Sequence, residues 1–151
     1  MRSLLIACFY IFAFGPGTSA QHTHPPAPSK PPPKRIVTAA QVNGIYRLYK
    51  NEFRILALGH NKLQVQFHGV YPTPKSFNFG DAGGEAIIDG NIATFKPDEN
   101  EPCEITIVFL PGKIKVTQSG SDADCGFGHN VHADGTYRKI RGGKPKFEPP
   151  P

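Results

Sequence analysis

Cys103-Glu104-Ile105-Thr106-Ile107-Val108-Phe109-Leu110-Pro111-Gly112-Lys113-Ile114-Lys115-Val116-Thr117 is the stretch whose pattern decides the fold. Apolar side chains fall on alternate positions on both sides of a Pro-Gly pair. Successive side chains of a strand point to opposite faces. If Pro111-Gly112 turns the chain, Ile105, Ile107 and Phe109 share a face with Ile114 and Val116, and Lys113, Lys115 and Thr117 face out. A Pro-Gly pair suits a type II turn, where Pro has its fixed φ and Gly takes the positive one. Cys103 has the parity of Ile105, so it also points inward. The stretch reads as an antiparallel hairpin with one buried face.

The same alternation extends upstream. Leu63, Val65 and Phe67 face one way across Lys62–His68, and Gln64, Gln66 and His68 face the other. Gly59-His60-Asn61 is the turn ahead of this run, and Asn43–Lys50 and Glu52–Leu58 are the first two strands. Asp89-Gly90 favours a two-residue turn that pairs Ile88 with Asn91, Ile87 with Ile92 and Ala86 with Ala93. Asp134-Gly135 is expected to make another, pairing His132 with Tyr137 and Val131 with Arg138. Tyr71–Gly84 contains Pro72, Pro74, Gly80, Gly83 and Gly84, so it reads as a long loop anchored by Phe77 and Phe79.

Gly44-Ile45-Tyr46-Arg47 returns as Gly135-Thr136-Tyr137-Arg138. First and last strands that match can pair, and that pairing closes a barrel without an exposed edge. The expected fold is all-β: an antiparallel meander of about eight strands over residues 41–140, closing into a barrel or sandwich. Inward Phe67 and Phe109, beside Ile and Val, predict a filled interior rather than a lipocalin-like cavity.

The ends differ from the middle. Met1-Arg2, the apolar run Leu4–Phe14 and the small residues Thr18-Ser19-Ala20 form the pattern of a secretory signal peptide over 1–20, cut before Gln21. Leu5-Ile6-Ala7-Cys8 matches a lipobox, but Cys8 lies inside the apolar run instead of after it. Removal of the leader leaves Cys103 and Cys125. An oxidising compartment and an even count imply one disulfide, and closing that loop is worth about 3 kcal/mol. Residues 21–40 are expected to be a Pro-rich extended tail, since His22–Arg35 holds six Pro in 14 residues. Residues 141–151 are expected to be a second disordered tail, basic and Pro-rich.

The formal net charge is +5. Ile36–Ile140 holds 10 Lys and Arg against 11 Asp and Glu, so the excess belongs to the ends. A nucleic-acid-binding domain carries its basic patch on the fold, and that class is excluded. Beyond the leader no apolar run is long enough for a membrane-spanning helix.

Cys125-Gly126-Phe127-Gly128-His129-Asn130-Val131-His132-Ala133-Asp134-Gly135-Thr136-Tyr137-Arg138-Lys139 resembles the ending of a loose group of small exported bacterial proteins. In that group a Cys-Gly-Phe-Gly segment, an Asn-Val pair and a Gly-x-Tyr close the domain after an earlier strand that opens with Cys, here Cys103-Glu104-Ile105-Thr106-Ile107. The likeness spans Ala86 to Ile140. It implies a small barrel-like body with a disulfide and brings no activity with it. Some such segments resemble regions attached to lysozyme-inhibitor-like lipoproteins, but no inhibitor motif carries over residue by residue.

Asn130, His132 and Asp134 alternate along the expected last hairpin, and Tyr137 lies opposite, so these four are the candidate binding residues. His129 and His132 would share a helix face suited to metal, but on a strand they point to opposite sides. Asp122-x-Asp124-x-Gly126 matches the opening of a calcium loop, yet position 133, where the closing acid belongs, is Ala. It reads as a polar turn. His22 and His24 are weak metal candidates: cleavage after Ser19 would expose Ala20-Gln21-His22, whose amine, amides and imidazole suit Cu(II) or Ni(II). Cleavage before Gln21 removes that geometry.

Support for catalysis is thin. Both remaining cysteines are committed to each other. No Gly-x-Ser-x-Gly and no phosphate-cradling glycine loop occurs, and Asp98, Glu99 and Glu101 sit in a Pro-bounded acidic turn. The expectation is a secreted or periplasmic, monomeric, non-enzymatic binding module without a cofactor, its partner a protein or glycan of the envelope or medium. Two other readings stand beside it: a hydrolase-like enzyme using the Asn130, His132 and Asp134 face, and metal capture by the N-terminal histidines.

Overall fold

A computed structural model describes residues 35–148. The leader, His22 and His24 lie outside the described residues. Eight strands follow a short helix: α1 Ala39–Val42, β1 Gly44–Leu48, β2 Asn51–Gly59, β3 Lys62–Pro72, β4 Phe77–Asp89, β5 Ile92–Phe95, β6 Glu104–Leu110, β7 Lys113–Ser119 and β8 Gly135–Gly142. Each strand pairs antiparallel with the next, and β8 returns to β1, so the sheet is a closed barrel. Closure joins the first strand to the last, although β4 pairs with β5 only over residues 86–89, so residues 77–85 pair with β3 alone.

The hairpin about Pro111-Gly112 forms as expected. Leu110 pairs with Lys113, Phe109 with Ile114 and Ile107 with Val116. Ile105, Ile107, Phe109, Ile114 and Val116 are buried, and Lys113, Lys115 and Thr117 are exposed. The echoing end strands also pair, with Tyr46 opposite Lys139 and Arg47 opposite Arg138. That pairing decides barrel over sandwich.

An eight-stranded barrel is just wide enough for side chains to fill. Phe53, Phe67, Phe95, Phe109, Tyr46 and Tyr137 do so, each 2 % exposed or less. Tyr137 meets Phe53 edge-on at 4.9 Å, Phe53 meets Phe67 at 4.7 Å, and Phe67 meets Phe127 at 5.1 Å. Charged and amide side chains such as Arg54, Gln64, Gln66, Lys113 and Lys115 face outward. This polarity is the reverse of a membrane barrel, which shows its apolar residues to lipid. Among the described residues no helix is long and apolar enough to cross a membrane.

Each barrel end has its own closure. At one end Val42 of α1 is buried, and Tyr46 Oη donates to Val42 O at 2.6 Å and Gln41 O at 3.0 Å. At the other, residues 120–134 fold over the opening. Cys125 in this loop is bonded to Cys103, and Phe127, Val131 and Ala133 are buried. Disulfides of this kind persist in oxidising compartments. Gly69 and Gly80 face each other across β3 and β4 and make the slot for the plug. A Cβ at Gly69 would lie 2.6 Å from Val131 Cγ1, and one at Gly80 would lie 2.8 Å from the same atom.

Four local expectations change. Tyr71–Gly84 is not a long loop: β3 runs to Pro72, β4 starts at Phe77, and their pairing is continuous from Lys62↔Ile87 to Pro72↔Phe77. Phe77 and Phe79 are exposed at 46 % and 53 %, so they do not anchor it. The next hairpin turns at Gly90-Asn91, with Asp89 opposite Ile92, Ile88 opposite Ala93 and Ala86 opposite Phe95. Asn91 is the reason: its buried carboxamide accepts from Arg35 N at 2.8 Å and donates to Phe109 O at 3.1 Å. Gly90, at φ 67°, takes the position of positive φ that a type II′ turn requires.

Asp134-Gly135 makes no hairpin. Tyr137 pairs with Ile114 and Arg138 with Lys113, because Val131 and Ala133 cover the barrel end instead of entering the sheet. The body also exceeds residues 41–140. Val37 packs against the core, β8 reaches Gly142, and Lys146 and Glu148 bond to the barrel.

Candidate functional site

The four residues singled out from the sequence do not converge. Tyr137 is fully buried and donates to Ala133 O at 2.9 Å, so it belongs to the core. Asn130, His132 and Asp134 are exposed. Asn130 N donates to Asp122 Oδ2 at 2.7 Å, His132 O accepts from Asn51 Nδ2 at 3.4 Å, and Asp134 Oδ1 accepts from Gln118 N at 2.9 Å. The first bond lies within the plug loop, and the other two latch it to β2 and β7 of the barrel.

Asp122 and Asp124 serve the same loop. Backbone N–H groups of Asn130 and Ala123 hold the Asp122 carboxyl below its usual range, and the Ser121 N–H and hydroxyl do so for Asp124. Their oxygens satisfy a turn, as the sequence suggested. Among the described residues no group of three or more His, Cys, Asp or Glu is placed to hold a metal ion.

The concave feature lies elsewhere, on the outer face of β1–β4. It is an open groove of about 880 Å³ lined by Arg47, Glu52, Arg54, Gln66, His68 and Asp81 among others. Pairing aligns Arg47, Glu52, His68 and Asp81 as one row across four strands. Arg54 and Gln66 form the next row, which ends at Gly83. With no side chain, Gly83 leaves the floor open.

Glu52 organises the row. Its carboxylate accepts from Arg47 on one oxygen and from Arg54 Nε on the other, the latter at 2.8 Å. Burial pushes the Glu52 carboxyl up, but the two guanidiniums outweigh it and the net shift is below the usual value of 4.5. A depressed folded-state pKa stabilises above the unfolded value and is lost as pH falls through the folded one. Glu52→Gln is therefore expected to cost about 1–2 kcal/mol at pH 7, with the gap to wild type closing as pH falls below 4.5. Urea midpoints measured across pH 2–7 check this; a gap that persists at the acid end argues against it.

The rim beside Asp81 is aromatic. Lys50 Nζ sits 4.5 Å from the Phe77 ring centre, Phe79 stacks on His68 at 6.1 Å, and His68 Nδ1 is 2.6 Å from Asp81 Oδ1. Tyr49 at the β1–β2 turn is 91 % exposed. Exposed aromatics rimmed by polar groups mark interaction surfaces.

The chain's own C-terminal segment already lies along this groove. Gln66 Nε2 donates to Glu148 O at 2.9 Å, and Gln66 Oε1 accepts from Glu148 N at 3.0 Å. Arg54 Nη1 donates to Lys146 O at 3.0 Å, and Arg54 Nη2 meets the Glu148 carboxylate at 2.7 Å. Phe147, between them, lines the groove.

Sequence reasoning placed Gln64, Gln66 and His68 on the outer face but gave them no role. The signal was three polar side chains in succession on one face; His68 meets Glu52 and Asp81 only through strand pairing, and Gln66 meets Glu148 only in the folded chain. No family model matches the chain, and no curated protein or solved structure matches it.

Proposed function

We propose that this protein is an exported, non-catalytic binding module and that the groove outside β1–β4 is its binding surface. Three observations support the groove as the binding surface. Side chains fill the barrel interior, so the ligand-bearing concavity is outside. The groove brings both signs of charge, a planar amide and aromatic rings to one place, the mixture that orients a ligand. Gln66 holds both backbone groups of Glu148, main-chain contact of the kind a peptide-binding surface makes, and this observation carries the reading. The leader pattern over 1–20 and the Cys103–Cys125 bridge support export.

Gly83→Leu tests it. A Cβ at Gly83 meets only Val65 O, at 3.7 Å, so the side chain fills the groove without disturbing the sheet. Capture of envelope and medium components on immobilised protein, quantified by mass spectrometry, is expected to fall at least tenfold with an unchanged circular dichroism spectrum. His132→Ala is expected to leave capture intact. The opposite pattern would move the binding surface to the plug loop.

A further inference from the structure

We infer that the ligand of this groove is an extended peptide bearing a carboxylate side chain, and that Lys146–Glu148 stand in its place. This rests on the groove being the binding surface. The contacts specify the class. Gln66 meets one N–H and one C=O of the same residue, and Arg54 meets the C=O two residues earlier. Alternate residues of an extended peptide present their groups to one side in this way. A glycan carries no amide in its backbone, only on N-acetyl substituents.

Side-chain selection follows from charge. Arg54 Nε is fixed on Glu52, and Nη2 is aimed at the Glu148 carboxylate. The guanidinium is thus oriented before a ligand arrives, and a planar fork suits a carboxylate. Phe147 shows an aromatic residue tolerated at the position between. The mode is that of strand-like peptide recognition, with main-chain bonds for affinity and a side-chain contact for choice.

The occupant is held weakly. Glu148 is 69 % exposed on its side chain, and exposed ion pairs contribute little. Tethering still gives it an effective concentration on the order of millimolar. A peptide in trans must therefore compete with it, and weakening the internal segment unmasks the site.

The test uses the full chain and a fluorescent synthetic peptide of residues 144–151, read by polarisation. The Phe147→Ala, Glu148→Ala variant is expected to bind this peptide at least tenfold tighter than wild type. Adding Gln66→Leu to that variant should lower affinity at least tenfold, with folding verified by circular dichroism. Replacing Glu by Gln in the peptide should weaken binding severalfold and remove most of its salt dependence.

Equal affinity for wild type and variant, no effect of Gln66→Leu, or no binding at all would overturn the proposal. If Gly83→Leu still abolishes capture of envelope material in those cases, the groove stands as the binding surface and its occupant is not a peptide of this class. If Gly83→Leu leaves capture unchanged, the groove itself is the wrong surface.

Discussion

Phe67→Ala is expected to lower the free energy of unfolding by about 3–5 kcal/mol, the range for deleting a buried aromatic ring. Phe67 is fully buried and lies between Phe53 at 4.7 Å and Phe127 at 5.1 Å. The strands cannot move inward to fill the gap, because pairing around a closed barrel fixes their spacing. The cavity therefore persists, and its lining loses contact atoms on one side. A domain of this size has a total stability of about 5–15 kcal/mol, so the loss is a large share of it. Urea unfolding followed by circular dichroism measures it. A loss below about 1 kcal/mol would mean that the interior relaxes freely and that the barrel does not set its volume.

The second large effect is removal of the bridge. Cys103→Ser with Cys125→Ser opens a loop of sequence separation 22 and is expected to cost about 3 kcal/mol. For a domain near this length that corresponds to a fall in Tm of roughly 10–20 °C. The plug responds more than the barrel does. Residues 120–134 add no strand, and their attachment beyond the bridge is the burial of Phe127, Val131 and Ala133 with a few bonds to Asn51, Asn78 and Gln118. Amide exchange is thus expected to quicken first across this loop, while β2 and β3 keep their protection. Calorimetry with and without reductant, with mass spectrometry to verify the open bridge, checks it. An unchanged Tm with the bridge open would remove it from the stabilising interactions.

Part of this architecture is legible along the chain because period two is a local property. Ile105, Ile107, Phe109, Ile114 and Val116 declare a buried face by spacing alone, and Pro111-Gly112 fixes which of them meet. Two cysteines with no third partner after the leader declare the bridge. The repeated Gly-x-Tyr-Arg at positions 44 and 135 marks the two strands that close the sheet.

Glycine is where local reading fails. A chain shows that Gly69, Gly80, Gly83 and Gly84 lack side chains, not what fills the space beside them. Taken alone, Gly80, Gly83 and Gly84 argued for a loop. In the barrel Gly80 and Gly69 admit the plug, and Gly83 opens the groove floor. Asn91 likewise overrode the turn propensity of Asp89-Gly90, because its carboxamide is satisfied by Arg35 and Phe109, residues remote from it in sequence.

The alternating runs and the bridge are thus properties of the sequence, since each depends on neighbours within a few positions or on a count, whereas barrel rather than sandwich is decided by the pairing of β1 with β8, far apart along the chain. The groove, its charged row and the segment lying in it belong to the tertiary structure. Arg47, Glu52, His68, Asp81 and Glu148 are separated along the chain and meet only once strand register is set. Register comes from the burial of the opposite, inward-facing residues, so the outer surface inherits its chemistry from the way the core packs.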